Sequence, residues 1–516
     1  MNQADVQIDF SLRTLRTPMQ RITGRKNHLS EVFALDLRSL GLFRIGIALI
    51  LLYDLLLRSF ELSFFYTDQG ATPREVLWHS PFPMGIVWWI SPHMLSGSFA
   101  WQAFLFILSG LAGVALLLGY QTRWAIAISW FLLMGSHARQ PMILQGNDVL
   151  LRCALFWSFF VPLGARFSLD SLSKTAATYH SNRVLSWGTA AIILQLCILY
   201  FNAAIPKVSY EWRGDFNALY YVLNMDYFTN PFGYWLLQYP VILVLMTKAT
   251  LLFEISIPFI LLMPFGNAYL RLIAFAIMVG FHLGIYMCMD VGLFSFMCIA
   301  YWFVFLPSLF WDIVATFIPW KFLGSIVTDT EANGPEVLST LGPRWLIPCL
   351  LIFVLVMNYQ RYLNPPMVSD EATVIDTVGR ITGLDQYWAM FSPGVLKDGL
   401  KIWAEGTKAD GTKVNLFNPS QDNRSTDRRM VWVKEDSYAR KRFLIWGLYE
   451  FPRDPFSRAF LKMMLEEWNQ THKAEEQIVS AQIVSLKTQT SPPYETLESP
   501  TINEKTLMHY TPLPKD

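Results

Sequence analysis

The chain has 516 residues, of which 53% are hydrophobic and 16% charged, whereas soluble proteins carry about 25% charge. The net charge of +1 offers no basic surface for nucleic acid. Composition therefore points to a chain whose main solvent is the lipid bilayer, with a mean hydropathy of +0.31.

The five cysteines, Cys153, Cys197, Cys288, Cys298 and Cys349, lie in apolar runs and form no Cys-x-x-Cys or Cys/His cluster. This pattern excludes a cysteine-based metal site and a disulfide framework, and no metal is predicted. The first 36 residues are polar and basic (Arg13, Arg16, Arg21, Arg25, Lys26) and contain no early apolar core, so no cleavable signal peptide is expected.

About 20 apolar residues are needed to cross a bilayer as a helix. By that measure spans are predicted over residues 37–57, 98–118, 123–136, 149–163, 184–205, 240–263, 269–289, 292–311 and 344–358. The third and fourth are short and flank QPMILQGND. The expected fold is mainly α: a polytopic transmembrane helical bundle of about nine spans with a smaller C-terminal extramembrane α+β or β domain. The expected division is 1–36 as a basic cytoplasmic segment, 37–359 as the membrane domain, 360–472 as the extramembrane domain and 473–516 as a disordered tail.

Loop charge sets orientation. The basic N-terminus and the loop carrying Arg166, Lys174 and Arg183 are placed in the cytoplasm. Nine spans then put the C-terminal domain outside, as in a bacterial inner-membrane protein. The run PFPMGIVWWISPH is too short to span and reads as interfacial, since tryptophan favours the headgroup level. Past the last span, KIWAEGTKADGTKVNLF reads as a hairpin around Asp410-Gly411. RKRFLIWGLYEF reads as a strand and SRAFLKMMLEEW as an amphipathic helix. The Ser/Thr/Pro-rich tail reads as disordered.

Charges within apolar runs cost at least ~2.5–3.5 kcal/mol each at the centre of a span. Arg44 and Asp54 lie in the first run and read as structural. Asp148 and Arg152, four apart, share a helix face and could pair. Lys248 and Glu254 share the sixth run, and a carboxylate at 254 must find a partner or a proton. His282 lies deep in the seventh, in VGFHLGIY, with Asp290 near its end. Lys207 ends the fifth, in YFNAAIPKVSYEW. Two readings stand there: a stem reaching for the headgroups, or a base kept in a dry pocket, where burial favours the neutral amine. His282 is open in the same way, to an interhelical hydrogen bond or to proton transfer.

Four stretches carry a resemblance. YFNAAIPKVSYEW has the form Tyr-Phe-x-Ala-x-x-x-Lys with tryptophan five residues on. FHLGIYMCMDVGLFSF has Phe-His with Leu-Phe-Ser eleven residues later. SLGLFRIGIALILLYDLLLR precedes YTDQG, and GLDQYWAMFSPGVLKDGLKIWAEGTKADGTKVNL follows the last run. Over residues 37–420 the chain resembles the horizontally transferred transmembrane (HTTM) family, which includes the vitamin K-dependent γ-glutamyl carboxylases. The resemblance implies a lyase-type membrane enzyme that uses a reduced quinone of the vitamin K or menaquinone type, with O2 and CO2 as co-substrates. Together these would generate a strong base, abstract a γ-hydrogen from glutamate in a peptide or protein, and carboxylate it. It implies Lys207 as the base, with His282 and Asn147 positioning the quinone, and Asp148, Arg152 and Glu254 as pocket or tuning residues. One departure is visible in QGNDVLLR: animal carboxylases follow the asparagine with a histidine, and this chain has Asp148. The alternative is a non-catalytic family member, a partner, immunity or maturation factor for a secreted peptide. A transporter is disfavoured by the lack of an inverted repeat.

Overall fold

The computed structural model describes residues 28–79, 86–172, 179, 181–225, 228–317, 335–337, 345–363, 373–416, 440, 444, 447–448, 455–493 and 502–512. The bundle consists of α1 (Leu37–Phe60), α2 (Phe99–Leu118), α3 (Thr122–Arg139), α4 (Gly146–Ser158), α5 (Trp187–Ala204), α6 (Pro240–Leu262), α7 (Asn267–Cys288), α8 (Phe294–Trp302), α9 (Ser308–Phe317) and α10 (Leu346–Leu363). Short polar residues set the starts. Asp36 caps α1 by accepting from Arg38 N, Ser98 caps α2, and Ser186 with Thr189 closes a capping box on α5. α2 stops at Gly119, whose φ of +65° and whose approach to Arg44 leave no room for a Cβ.

Among the described residues six helices are long and apolar enough to cross a membrane: α1, α2, α5, α6, α7 and α10. A seventh crossing arises if α8 and its 3-10 extension are joined to α9, across a 92° bend. The sequence count of nine is larger because it includes α3 and α4. α3 is long enough but carries Arg123, His137 and Arg139, and α4 has only 13 residues, about 20 Å of helix against a ~30 Å core. α4 and α8 are mostly buried among their neighbours. A helix surrounded by protein need not match the lipid thickness, because its backbone ends meet other groups of the protein.

A small sheet at one end joins β1 (Leu35–Asp36), β2 (Arg183–Leu185) and β3 (Glu336–Val337). β1 and β2 lead into α1 and α5, so these two helices set out from the same end. Arg271, in the first turns of α7, reaches Val32 O and Ala34 O there as well. α5 therefore ends at the opposite end of the bundle from β1. At that opposite end the segment 384–395 meets the loops after α5: Ser209 N donates to Pro393 O at 3.0 Å, and Trp212 Nε1 to Phe391 O at 2.8 Å.

After α11 (Val374–Thr382), the C-terminal region forms an antiparallel sheet in the order β5-β4-β6-β7, from β4 (Asp398–Lys408), β5 (Lys413–Asn415), β6 (Ile478–Gln489) and β7 (Ile502–Tyr510). The hairpin at Asp410-Gly411 is present, with Gly411 at φ +87°. The amphipathic helix is α12 (Pro455–Thr471), burying Phe456, Phe460, Leu461 and Leu465 in the core that also holds Trp403 and Val484. The tail expected to be disordered supplies β6 and β7 instead. Its composition is polar overall, but IVSAQIVSL puts Ile478, Ala481, Ile483 and Val484 into that core, and ladder pairing with β4 over the whole strand outweighs composition. The strand expected in RKRFLIWGLYEF lies mostly outside the described residues. Of the interfacial run, Ile86–Ile90 is a short helix with Trp88 buried and Trp89 77% exposed.

Candidate functional site

A cavity of about 530 Å³ lies between α5, α6, α7 and the loops at the end opposite β1. Its lining is apolar and aromatic except for a few groups. From the α5 side come Tyr200, Ala203 and Lys207, at i, i+3 and i+7. This spacing keeps them on one face even though α5 ends at Ala204. α6 contributes Glu254, α7 contributes His282, and Phe391 closes the cavity from the segment after α11.

Lys207 does not reach for headgroups. It is 2% exposed, and its Nζ donates to Glu254 Oε1 at 2.8 Å and Oε2 at 2.7 Å. The Trp212 ring lies 5.0 Å from the same Nζ, a cation–π contact worth ~2 kcal/mol where water is absent. Pro206 ends the helix early, and the turn after it swings the lysine inward. Arg213 Nε holds that turn by donating to Lys207 O at 2.7 Å. Glu254 is satisfied in the way a buried carboxylate requires, by a charged partner making two hydrogen bonds.

His282 is 1% exposed. Its Nε2 lies 2.9 Å from Tyr200 Oη, and Trp302 Nε1 donates to that same oxygen at 2.8 Å. An indole N–H can only donate, so Tyr200 accepts from Trp302, while the roles of Tyr200 Oη and His282 Nε2 towards each other follow the imidazole tautomer. His282 Nδ1 has no partner among the described residues. A buried ring nitrogen of a cavity-lining residue is thus left without a hydrogen bond.

Asn147 is not among the residues lining the cavity. Its Nδ2 points to Asp148 Oδ1 at 3.4 Å, and its Oδ1 has no partner among the described residues. It sits one ring away. A Cβ on the preceding Gly146 would meet Phe294 at 2.9 Å, and Phe294 lines the cavity and packs edge-on to His282.

Asp148 and Arg152 do not pair. In a helix Cβ vectors tilt to the N-terminus, and Asp148 points back to Gln145 N, 2.8 Å away, to close the capping box of α4. Its carboxylate then lies between Arg58 Nη2 at 2.7 Å and Arg440 Nη1 at 2.7 Å, with His137 Nε2 at 3.6 Å. Arg58 also binds Asp54 at 2.7 Å, and Arg440 binds Asp54 too. Arg152 is left to Asp385, 2.7 Å away. The other charges are likewise spoken for: Arg44 donates to Phe167 O, and Lys248 lies over Phe216 at 4.8 Å.

Tyr200, Trp212, Trp302 and Phe391 were not singled out from sequence. Tyr200 and Trp212 begin and end the very motif that contains Lys207. Phe391 lies in the quoted stretch GLDQYWAMFSPGV, and Trp302 has no local signal, because it lies outside every quoted motif.

A model of the HTTM domain matches residues 34–310. The chain belongs to the HTTM family. The HTTM match contains every residue lining the cavity except Met390 and Phe391, and it ends before the C-terminal sheet. No curated protein and no solved structure matches this HTTM chain.

Proposed function

We propose that this HTTM protein is an integral-membrane enzyme of the vitamin K-dependent γ-carboxylase type, acting on glutamate in a peptide or protein with a reduced quinone, O2 and CO2. The observation that carries this reading is the convergence of Lys207, Glu254 and His282 on one largely apolar, aromatic-lined cavity. A volume of about 530 Å³ suits a bicyclic ring, and the unpartnered His282 Nδ1 suits a ring oxygen. When bound, the reduced quinone supplies, with O2, the strong base needed at the γ-carbon.

The residues have separate tasks. In a site of low dielectric the ammonium–carboxylate pair is costly to keep charged. A proton passed from Lys207 to Glu254 across 2.7 Å leaves a neutral amine, and that amine is the base that takes a proton from a ring hydroxyl. With Tyr200 Oη donating to His282 Nε2, His282 Nδ1–H donates to the oxygen on which charge gathers. Trp212, Phe294 and Phe391 exclude water, which would quench a strong base and a carbanion alike. Asn147 acts, in this reading, only through the helix start behind Phe294. We place the C-terminal domain outside the cytoplasmic membrane, where a secreted substrate would meet the cavity.

The position of Asn147 outside the lining, with Asp148 locked in a charge cluster, favours a second reading: a non-catalytic partner or maturation factor for a secreted peptide. The two separate in one assay. Purified full-length protein is given reduced menaquinone, O2, labelled bicarbonate and a glutamate-rich peptide. The enzyme reading predicts quinone epoxide and fixed label, both lost in a folded Lys207→Ala variant. Equal product from Lys207→Ala and wild type would refute it.

A further inference from the structure

α7 has an unusual outer face. A Cβ placed on Gly280 or on Gly284 would meet no atom within 4 Å, yet both glycines line the cavity. They are one turn apart, and Ala276, one turn earlier, lines it as well. Opposite them, α6 offers Ala249, Thr250 and Phe253. Small residues normally let two helices close up, but here open space remains between them. Ala276, Ile277 and Gly280 line the cavity and are exposed. The cavity therefore opens sideways between α6 and α7.

The surroundings of this opening say what passes through it. On α7 the exposed neighbours are Ile273, Leu283 and Met287, and on α6 they are Leu245, Leu252 and Ile255. Both helices meet the length and apolarity needed to cross a bilayer, so this belt faces acyl chains. Gly284 and Gly280 lie four and eight residues before the end of α7, roughly 6 and 12 Å along the helix. That places the opening in one leaflet, below the headgroups. Behind it are the ion pair of Lys207 and Glu254 and the unpartnered Nδ1 of His282, both fully enclosed. Polar groups at the back and a hydrocarbon mouth select an amphiphile that enters head first.

We infer that the gap at Gly280 and Gly284 is a lateral doorway: the ligand's ring enters the cavity from the bilayer, and its isoprenoid tail stays in the doorway. The inference rests on the proposed quinone reading and adds to it a route and a requirement for a tail. A bulky side chain at either position would occupy the path of the tail, whereas a Cβ alone meets nothing within 4 Å.

The test is equilibrium binding to the full chain in lipid nanodiscs, read by quenching of tryptophan fluorescence, Trp212 being part of the cavity wall. The probes are menaquinone-4, which has a tail, and menadione, which has the same ring without one. Each buried CH2 is worth ~0.8 kcal/mol, so losing a few of them weakens binding by ten-fold or more. Gly280→Phe and Gly284→Phe are expected to weaken menaquinone-4 at least about ten-fold and menadione by less than about two-fold, while Gly280→Ala leaves both near wild type. The empty space beside each Cβ means that these variants should fold, and an unchanged melting temperature checks it. Wild-type binding of both probes with no selective loss in the phenylalanine variants overturns the doorway and leaves the quinone reading in place. Failure of the wild type to bind either probe overturns the quinone reading and the inference with it.

Discussion

Two buried charge groups lie in one bundle and obey different rules. In the cavity, Lys207 and Glu254 make a pair of one cation and one anion beside open space. In the cluster, Asp54 and Asp148 are interleaved with Arg58 and Arg440, and the pocket beside Asp54 and Arg58 measures only about 20 Å³. A lysine and a glutamate can cancel their charges by moving one proton. Guanidinium groups cannot, because arginine does not lose its proton in proteins. The first arrangement can switch between charged and neutral. The second is permanent, and it fastens Arg440 of the C-terminal region to α1 and α4. Burial of charge marks both places, and the proposed chemistry is assigned to one of them because only there does a titratable cation adjoin open volume.

The contrast can be broken at several points, taken here from the largest expected effect to the smallest. Lys207→Ala should lower epoxide formation by about 10²–10⁴-fold, the usual worth of a positioned base, with little change in melting temperature because Glu254 can take up a proton once alone. Asp148→Ala should do the reverse: it leaves two arginines that cannot neutralise with Asp54 as their one remaining carboxylate, costing about 3–5 kcal/mol, visible as a large drop in the thermal midpoint in detergent. Equal stability losses in the two variants would erase the distinction. His282→Phe keeps the volume and removes the Nδ1 donor, and should cost about 10²–10³-fold in kcat with a smaller change in KM. At the loop edge, Lys397 Nζ lies 2.5 Å from Glu211 Oε1. This hydrogen bond holds the Glu211 carboxyl below its ordinary range. Because the folded-state value is depressed, the pair stabilises at pH above the ordinary carboxylate value, and the contribution is lost as pH falls through the folded one. Lys397 is half exposed, so Lys397→Ala should cost less than about 1 kcal/mol at neutral pH and nothing in acid, as followed by thermal melts across pH.

What sequence showed and what it hid follow from how far each signal reaches. The run lengths reveal α1, α2, α5, α6, α7 and α10, because a lipid-facing helix must be long and apolar throughout. They misjudge α3 and α4, whose neighbours are protein. The turn at Asp410-Gly411 is a local signal and was readable. β6 was not, since its strand character depends on pairing with β4, some eighty residues away. At the site, Lys207 and His282 stand in motifs, and both line one cavity. The partner of Lys207 is 47 residues distant, so spacing could not choose between a reaching stem and an inward pair. Asp148 and Arg152 show the converse error: an i, i+4 spacing allows a contact, but Arg58, Arg440 and Asp385 won both partners through the tertiary fold. Asn147 was carried by resemblance alone, and the cavity stops one ring short of it.

The central claim is that the enclosed space between Lys207 and His282 is where a reduced quinone ring sits. Cryo-electron microscopy of the full chain in nanodiscs loaded with reduced menaquinone-4 tests it most directly. The account predicts planar density in the cavity, with one ring oxygen within hydrogen-bond reach of Lys207 Nζ and the other near His282 Nδ1. A ring bound elsewhere, with that cavity holding only acyl chain, would contradict it.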